Sequence, residues 1–310
     1  MSALICGSLA YDTIMVFPER FRDHILADQV HILNVSFMVP KMRREYGGCA
    51  GNISYNLKLL GGDPYPMATV GDDFEPYRNR FEQLGIALDY VRQIQGEFTA
   101  QAFITTDLDD NQITAFHPGA MQCSHMNSVS DTEGMKIGIV GPDSKEAMYQ
   151  HSNEFKSNGI PHIFDPGQAL PLFNGEDLKL FIDNADWIIV NSYEAKLMQE
   201  RTGYAPSDIA ARADAFIVTM GGEGSIIHTA QGNESIKPVR VTEILDPTGC
   251  GDAYRGGMLY GLLNDMDLPT SCRIGSLMGA IKITAEGPQN HSFLMDEFRD
   301  RFKENYGYNF

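Results

Sequence analysis

The chain is poor in positive charge. Its 310 residues carry 24 Lys and Arg against 41 Asp and Glu, a net charge of −17 with histidine neutral. Such a surface repels nucleic-acid backbones, and no stripe of basic residues offers a local exception, so nucleic acid is not expected as a partner. Cysteine is scarce and scattered. Cys6, Cys49, Cys123, Cys250 and Cys272 are odd in number and include no CxxC pair, which argues against a disulfide framework or a zinc cage. No uncharged apolar run reaches the roughly 18 residues of a membrane span. The first residues lack the basic start of a secretory signal and soon meet Asp12. A cytoplasmic protein with no membrane partner is expected. Two phosphate-binding signatures are also missing: Gly7 stands alone after the first apolar run, so no G-x-G-x-x-G follows it, and there is no G-K-[ST] of a P-loop.

What remains is an ordinary globular composition, 43% hydrophobic and 21% charged, long enough for one large α/β domain or a domain with an appendage. Short apolar runs at 3–8, 136–140, 162–164, 187–190 and 215–219 read as buried strands. From 136 onward they are separated by helix-length segments. Repeated strand–helix units imply a parallel sheet with right-handed crossovers, and 226–230 adds an antiparallel pairing. A second set of strands leaves this pattern. Val30, Ile32, Val35 and Phe37 alternate loosely, and 99–106, the polar turn 107–111 and 112–117 compose a hairpin. These pieces predict a small β appendage, from about 14–46 and 97–120, within a single domain 1–310.

The most informative run is Asp246-Pro-Thr-Gly-Cys-Gly-Asp252. It follows an extended stretch, 239–245, and opens an apolar segment, 254–263, of helical length. Thr248 and Gly249 then fall at a helix mouth, where the first N–H groups lack intrahelical partners and the dipole favours an anion. Asp252 is itself an anion beside that seat. Amides that cradle a phosphoryl group next to a carboxylate that accepts a proton suggest a kinase. Asp12, after the first strand, fits either a ligand contact at the sheet's carboxyl edge or a turn cap. Gly47, Gly48 and Gly51 make a hinge-like entry to a helix at 53–60 whose first turn carries Asn52, either a polyol contact or a cap. Asn191 and Glu194, three apart at a strand end, suit a hydrated Mg²⁺ or a helix cap. Thr219, Gly221 and Gly224 fit a nucleotide contact or a tight strand connection. Arg43 and Arg44 fit phosphate contacts or solvated charges.

Three of these runs, in this order and spacing, resemble the signatures of the ribokinase-like, or PfkB-type, sugar and nucleoside kinases, over essentially the whole chain. They are Gly47-Gly48 with Asn52, Asn191-Ser-Tyr-Glu194, and the run ending at Asp252, where Cys250 replaces the commoner Ala. The resemblance implies a three-layer α/β/α sandwich with a mainly parallel central sheet and a small β-sheet lid. It implies Asp252 as general base and Gly249, Cys250 and Gly251 as anion-hole amides. Asp12, Gly48 and Asn52 would grip ribose hydroxyls, and Asn191 and Glu194 would order Mg²⁺, through water. Thr219, Gly221, Gly224 and Thr248 would lie along ATP, with 287–291, including Asn290, near its adenine. A monovalent cation such as K⁺ is implied near Asp246. Local runs around 111–119, 164–168 and 252–257 are most similar to prokaryotic adenosine or broad-specificity nucleoside kinases. There Phe116 would stack on a base, and Gln101 and Gln168 would bond base or sugar. Arg255 would contact phosphate, pair with Asp252 or form an ion pair within its helix. The expected reaction moves the γ-phosphate of ATP to the 5′-hydroxyl of a ribonucleoside, adenosine first. A sugar kinase on ribose or another sugar is the alternative, and a non-catalytic nucleoside-binding protein of the same fold a further one. A monomer or a lid-mediated homodimer is expected.

Overall fold

The structure is a computed structural model that describes residues 2–25, 34–109 and 111–310. Its first strand, β1 (Ser2–Cys6), shows why the chain layers as it does. Successive strand side chains point to opposite faces, and here both faces are apolar: Ala3 and Ile5 pack on one side, Leu4 and Cys6 on the other. The same division runs through β8 (Met135–Val140), β9 (His162–Phe164), β10 (Trp187–Asn191) and β11 (Ala215–Thr219). Ile139, Ile163, Ile189 and Ile217 join one face; Val140, Phe164, Ile188 and Phe216 join the other. A sheet apolar on both faces needs a helical layer on each. One layer holds α3 (Lys145–Asn158), α4 (Gly175–Asn184), α5 (Ser192–Thr202) and α6 (Pro206–Ala210). The other holds α1 (Cys49–Leu59), α7 (Cys250–Leu263) and α8 (Leu268–Lys282), with α9 (Met295–Tyr306) seated on α8 through Phe298 and Phe302.

With β4 (Asp63–Val70), β5 (Val91–Gln93), β12 (Ser225–Thr229) and β13 (Gly232–Ile236), the sheet has nine strands in the order β13-β12-β11-β10-β9-β8-β1-β4-β5. All pair in parallel except β12 and β13. After β1 the chain builds outward to β4 and β5, then returns to β8 on the other side. The carboxyl ends of β1 and β8 therefore flank a topological switch point, where ligands of open α/β sheets bind. A second sheet, ordered β3-β2-β6-β7, is made by β2 (Ala10–Val16), β3 (Lys41–Gly47), β6 (Ala100–Thr106) and β7 (Gln112–His117). It is anchored by α2 (Glu75–Leu84), whose Tyr77 and Phe81 pack with Leu9, Tyr11 and Val70. No helix among the described residues is long and apolar enough to cross a membrane.

Three sequence expectations change. Asp12 does not end β1; Gly7, Ser8 and Leu9 turn the chain at once, and Asp12 lies inside lid strand β2. The lid strand before α1 is 41–47, not the stretch containing Val35 and Phe37, which are in no strand; Val30 and Ile32 lie outside the described residues. Residues 239–245 form no strand either.

Candidate active site

α7 starts where Gly249 adopts a left-handed φ of 77°, a conformation that glycine reaches without a Cβ penalty. The Gly249 carbonyl accepts the first helical bond, from the Ala253 N–H at 2.9 Å. The turn before it is fixed by Asp246, whose carboxylate accepts from the Thr248 N–H at 2.8 Å and the Gly287 N–H at 2.9 Å. These bonds leave the amides of Gly249, Gly251 and Asp252 without partners among the described residues. Cys250 is the exception to the expected cradle: its N–H donates to the Pro247 carbonyl at 3.2 Å and is not open to a ligand. Thr248 itself is exposed at the lip.

Asp252, in the first turn, is wired into the body. Its Oδ2 accepts from the Asn52 amide at 2.8 Å, and Asn52 Oδ1 accepts from Gln289 Nε2 at 3.0 Å. Gln289 Nε2 also donates to the Tyr77 hydroxyl at 2.7 Å, and Tyr77 in turn donates to the Gly47 carbonyl at 2.8 Å. One chain of hydrogen bonds thus runs from Asp252 to the last residue of β3. Gly51 permits it, because a Cβ there would sit 2.0 Å from the Tyr77 oxygen. Gly48, alone between β3 and α1, has φ 82° and caps the helix. Burial raises the Asp252 carboxyl to about 7, the Asn52 hydrogen bond and the Arg255 charge opposing the rise. A carboxylate poised there is matched to proton removal near neutral pH.

Arg255 pairs with neither Asp252 nor a helix neighbour. Its guanidinium forks onto Asp165 at the end of β9, Nε to Oδ2 at 2.8 Å and Nη2 to Oδ1 at 2.9 Å, and Nη1 reaches the Gly251 carbonyl at 3.3 Å. Both partners are buried, 5% and 3% exposed. The pair therefore ties the first turn of α7 to the neighbouring strand end.

Cross-strand register places Glu45, Asp12, Ala102 and Phe116 in one row on one lid face. That face is turned to the α7 mouth. Arg43, two residues along it, meets Glu45, Asp246 and Glu286 at 3.5, 3.7 and 3.0 Å. Burial, with Glu45 and Asp246 nearby, raises Asp12 to about 6. Phe116 is exposed at the far end of the row. Gln101 points to the opposite lid face, where it donates to Thr13 Oγ1 at 2.7 Å. Arg44 lies on that outer face too, stacked over Tyr11 at 3.6 Å and paired with Asp73. Gln168 is exposed in the turn after β9, three residues beyond Asp165. Asn290 is drawn to the lid: its amide donates to Glu45 Oε2 at 2.8 Å and the Glu286 carbonyl at 3.0 Å.

At the ends of β10 and β11 the expected nucleotide residues are held locally. Asn191 and Glu194 form a capping box on α5: Asn191 Oδ1 accepts from the Glu194 N–H at 2.8 Å, and Glu194 Oε2 from the Asn191 N–H at 2.7 Å. Burial raises the Glu194 carboxyl, the capping bond opposing it. Thr219, register partner of Asn191, donates from Oγ1 to the Val190 carbonyl at 3.3 Å. Gly221 is exposed and open to the crevice edge. Gly224 is buried against the Ile236 carbonyl, so it serves the strand connection.

Sequence and structure comparisons agree on what this geometry belongs to. The pfkB family carbohydrate kinases match residues 10–293. The chain belongs to that family. It is 31% identical over 279 residues to a nucleoside kinase of Methanocaldococcus jannaschii, covering 87% of this chain and 90% of that protein. Among solved structures, the Burkholderia thailandensis nucleoside kinase in complex with inosine superposes with a TM-score of 0.91 at 51% identity, covering 99% of each chain. The same enzyme in complex with ADP-inosine gives 0.88 at 52%, over 99% of this chain and 97% of that one.

As a pfkB kinase, the chain transfers a phosphoryl group to a hydroxyl. Its donor set fits Mg²⁺. No group of three or more His, Cys, Asp or Glu is gathered among the described residues. Yet Mg²⁺ keeps several waters and takes one or two carboxylates beside substrate phosphates, which Glu194 at the sheet edge can supply. Sequence reasoning missed Gln289, Tyr77, Asp165 and Glu45. Asp165 and Gln289 stood inside runs already named, 164–168 and 287–291, and Glu45 in the appendage stretch 14–46. Tyr77 gave no signal, because its role rests on contacts with distant residues.

Proposed function

We propose that this pfkB kinase is an ATP-dependent nucleoside kinase that phosphorylates the 5′-hydroxyl of a purine ribonucleoside, adenosine among its acceptors. The observation that carries the reading is Asp252, a carboxylate near 7 beside open helix-mouth amides, faced by a lid row that offers Asp12 for hydroxyls and Phe116 for a base. Phosphoryl transfer asks for alignment and charge stabilisation more than covalent chemistry. Asp252 would take the proton of the attacking hydroxyl, worth about 10²–10⁴-fold for a general base. The Gly249, Gly251 and Asp252 amides would face the transferring phosphoryl oxygens, with Cys250 contributing its neighbours' geometry only. Asp12 and Asn52 would hold the ribose, Asn52 while bonded to Asp252. Glu194 and Asn191 would hold Mg²⁺ through its waters, where the ion supplies charge neutralisation. Thr219 and Gly221 would border the nucleotide.

Initial rates with adenosine, inosine, cytidine, ribose and fructose 6-phosphate, each with ATP, test the reading. Turnover confined to the purine nucleosides supports it; a clear preference for ribose or fructose 6-phosphate overturns it. Phe116→Ala sharpens the panel. Losing base–aromatic stacking of about 1–3 kcal/mol raises KM for the nucleoside well above any change for ATP; equal changes for both would assign Phe116 to lid packing. Met42, Phe103 and Ile113 share the outer lid face and are exposed. That apolar face favours a lid-mediated homodimer, which sedimentation velocity distinguishes from a monomer. Five unpaired thiols suit a reducing, cytoplasmic setting.

A further inference from the structure

The resemblance implied a monovalent cation beside Asp246, but the residues there already hold a cation of their own. Lys282, the last residue of α8, is 0% exposed. Its ammonium takes backbone oxygens as partners: Nζ donates to the Asp246 carbonyl at 2.7 Å and to the Ala285 carbonyl at 3.1 Å. Converging backbone carbonyls can also replace the hydration shell of K⁺, as in channel filters. A buried charge without such partners is expensive, so these bonds are needed to keep the ammonium in place. Burial lowers the lysine pKa, opposed by Asp246 and Cys250.

The place matters because Asp246 begins the turn that carries the cradle. Its carboxylate holds the Thr248 and Gly287 amides, and its own N–H and that of Leu245 donate to the Ile283 carbonyl at 3.3 and 2.9 Å. Lys282 closes the remaining corner by binding the Asp246 carbonyl. The ammonium thereby joins the end of α8 to the turn 246–249, next to the amides of Gly249 and Gly251. K⁺ does not fit beside it, since the Asp246 and Ala285 carbonyls already face a fixed positive charge that would repel a second cation.

We infer that Lys282 is a built-in substitute for a monovalent cation, a positioning residue that sets the phosphoryl cradle and frees this kinase from K⁺. The inference rests on the kinase reading of the cradle. Its test compares wild type, Lys282→Ala and Lys282→Met in K⁺, NH₄⁺, Na⁺ and N-methylglucamine chlorides at equal ionic strength. Both Tm and turnover of adenosine with ATP are read. Wild type should show the same Tm and rate in K⁺ as in N-methylglucamine. Lys282→Ala should melt lower and turn over about 10²-fold more slowly, the scale of misplacing the cradle by roughly 1 Å. K⁺ or NH₄⁺ should restore part of both, because the alanine opens the carbonyls to a soluble cation that stabilises by binding the folded state. Lys282→Met fills the same space with an apolar chain and should not be restored. A K⁺-specific rise in wild-type Tm or rate would overturn the inference. So would a folded Lys282→Ala that no cation restores, which would leave Lys282 a packing residue. If the alanine variant fails to fold, the wild-type cation series decides alone, by Tm as well as rate. Wild type that turns over no acceptor while the Tm pattern holds would sink the kinase reading and leave the cation substitution standing.

Discussion

Around Asp252, side chains are fixed by partners far away in sequence; along the ends of β10 and β11 they are fixed by near neighbours. Asn52 reaches Asp252 across 200 residues, Gln289 reaches Asn52 across 237, and Arg255 reaches Asp165 across 90. Asn191 and Glu194, by contrast, satisfy each other three residues apart, and Asn191 is exposed. The first arrangement exists only when the whole fold is assembled, so it preorganises the chemistry and costs stability when cut. The second is a helix cap that also faces the crevice, so its loss should be felt mainly by the nucleotide.

The largest effect should come from Arg255→Met. It leaves Asp165 buried without its partner, and breaking such a pair costs about 3–5 kcal/mol. Urea unfolding measures it; a loss as small as that of a surface pair would mean that the base region is not held by long-range ties. Asp252 gives the next contrast, with the opposite sign. Its folded pKa, about 7, is raised above the 3.8 of an ordinary aspartate. The stability it contributes is therefore fully present below about 4 and lost as pH rises through 7. Asp252→Asn should match wild type in Tm at pH 4 and exceed it at pH 8; a lower Tm at pH 8 contradicts this. Asn52→Ala removes the hydrogen bond that opposes the rise at Asp252. The acid limb of the kcat/KM profile should move to higher pH, with a loss of about tenfold at pH 7 for one hydrogen bond to a charge of 1.5–3 kcal/mol. An unmoved limb would separate Asn52 from the base. Glu194→Gln should be smallest in stability, about 1 kcal/mol or less for a weakened cap, with KM for ATP rising more than KM for the nucleoside. An equal fall in turnover with both would erase the difference between the two regions.

That same difference decides how much was legible in the sequence. Asp252 could be read because glycines, a helix start and a carboxylate sit within a few residues, and Asn191 with Glu194 because a cap is a local pattern. The apolar run at 3–8 likewise announces a buried strand, which Ala3, Leu4, Ile5 and Cys6 form by packing on both faces, whereas the three-layer sandwich was implied by the resemblance to the kinase family. Arg255 could not be paired from sequence, since Asp165 comes beside it only through the order of β9 and α7. Asn290 was expected near adenine but is drawn to Glu45, a contact made by closing the lid strand onto 286–290. Cys250 was assigned an open amide that the Pro247 carbonyl occupies, a detail of one turn that residue type does not encode. Asp12 moved from a strand end into the lid because three residues suffice to leave the main sheet. Tyr77, in the stretch 63–97 that carried no motif, joins Asp252 to β3 through Gln289 and Asn52.

On the proposed reading, Asp252 removes a proton in a site whose amides bind phosphate without it. Steady-state kinetics of Asp252→Asn with adenosine and ATP, beside ATP binding by calorimetry, tests it most directly. Turnover should fall by about 10²–10⁴-fold while ATP affinity stays close to wild type. Near-wild-type turnover in the asparagine variant would contradict it.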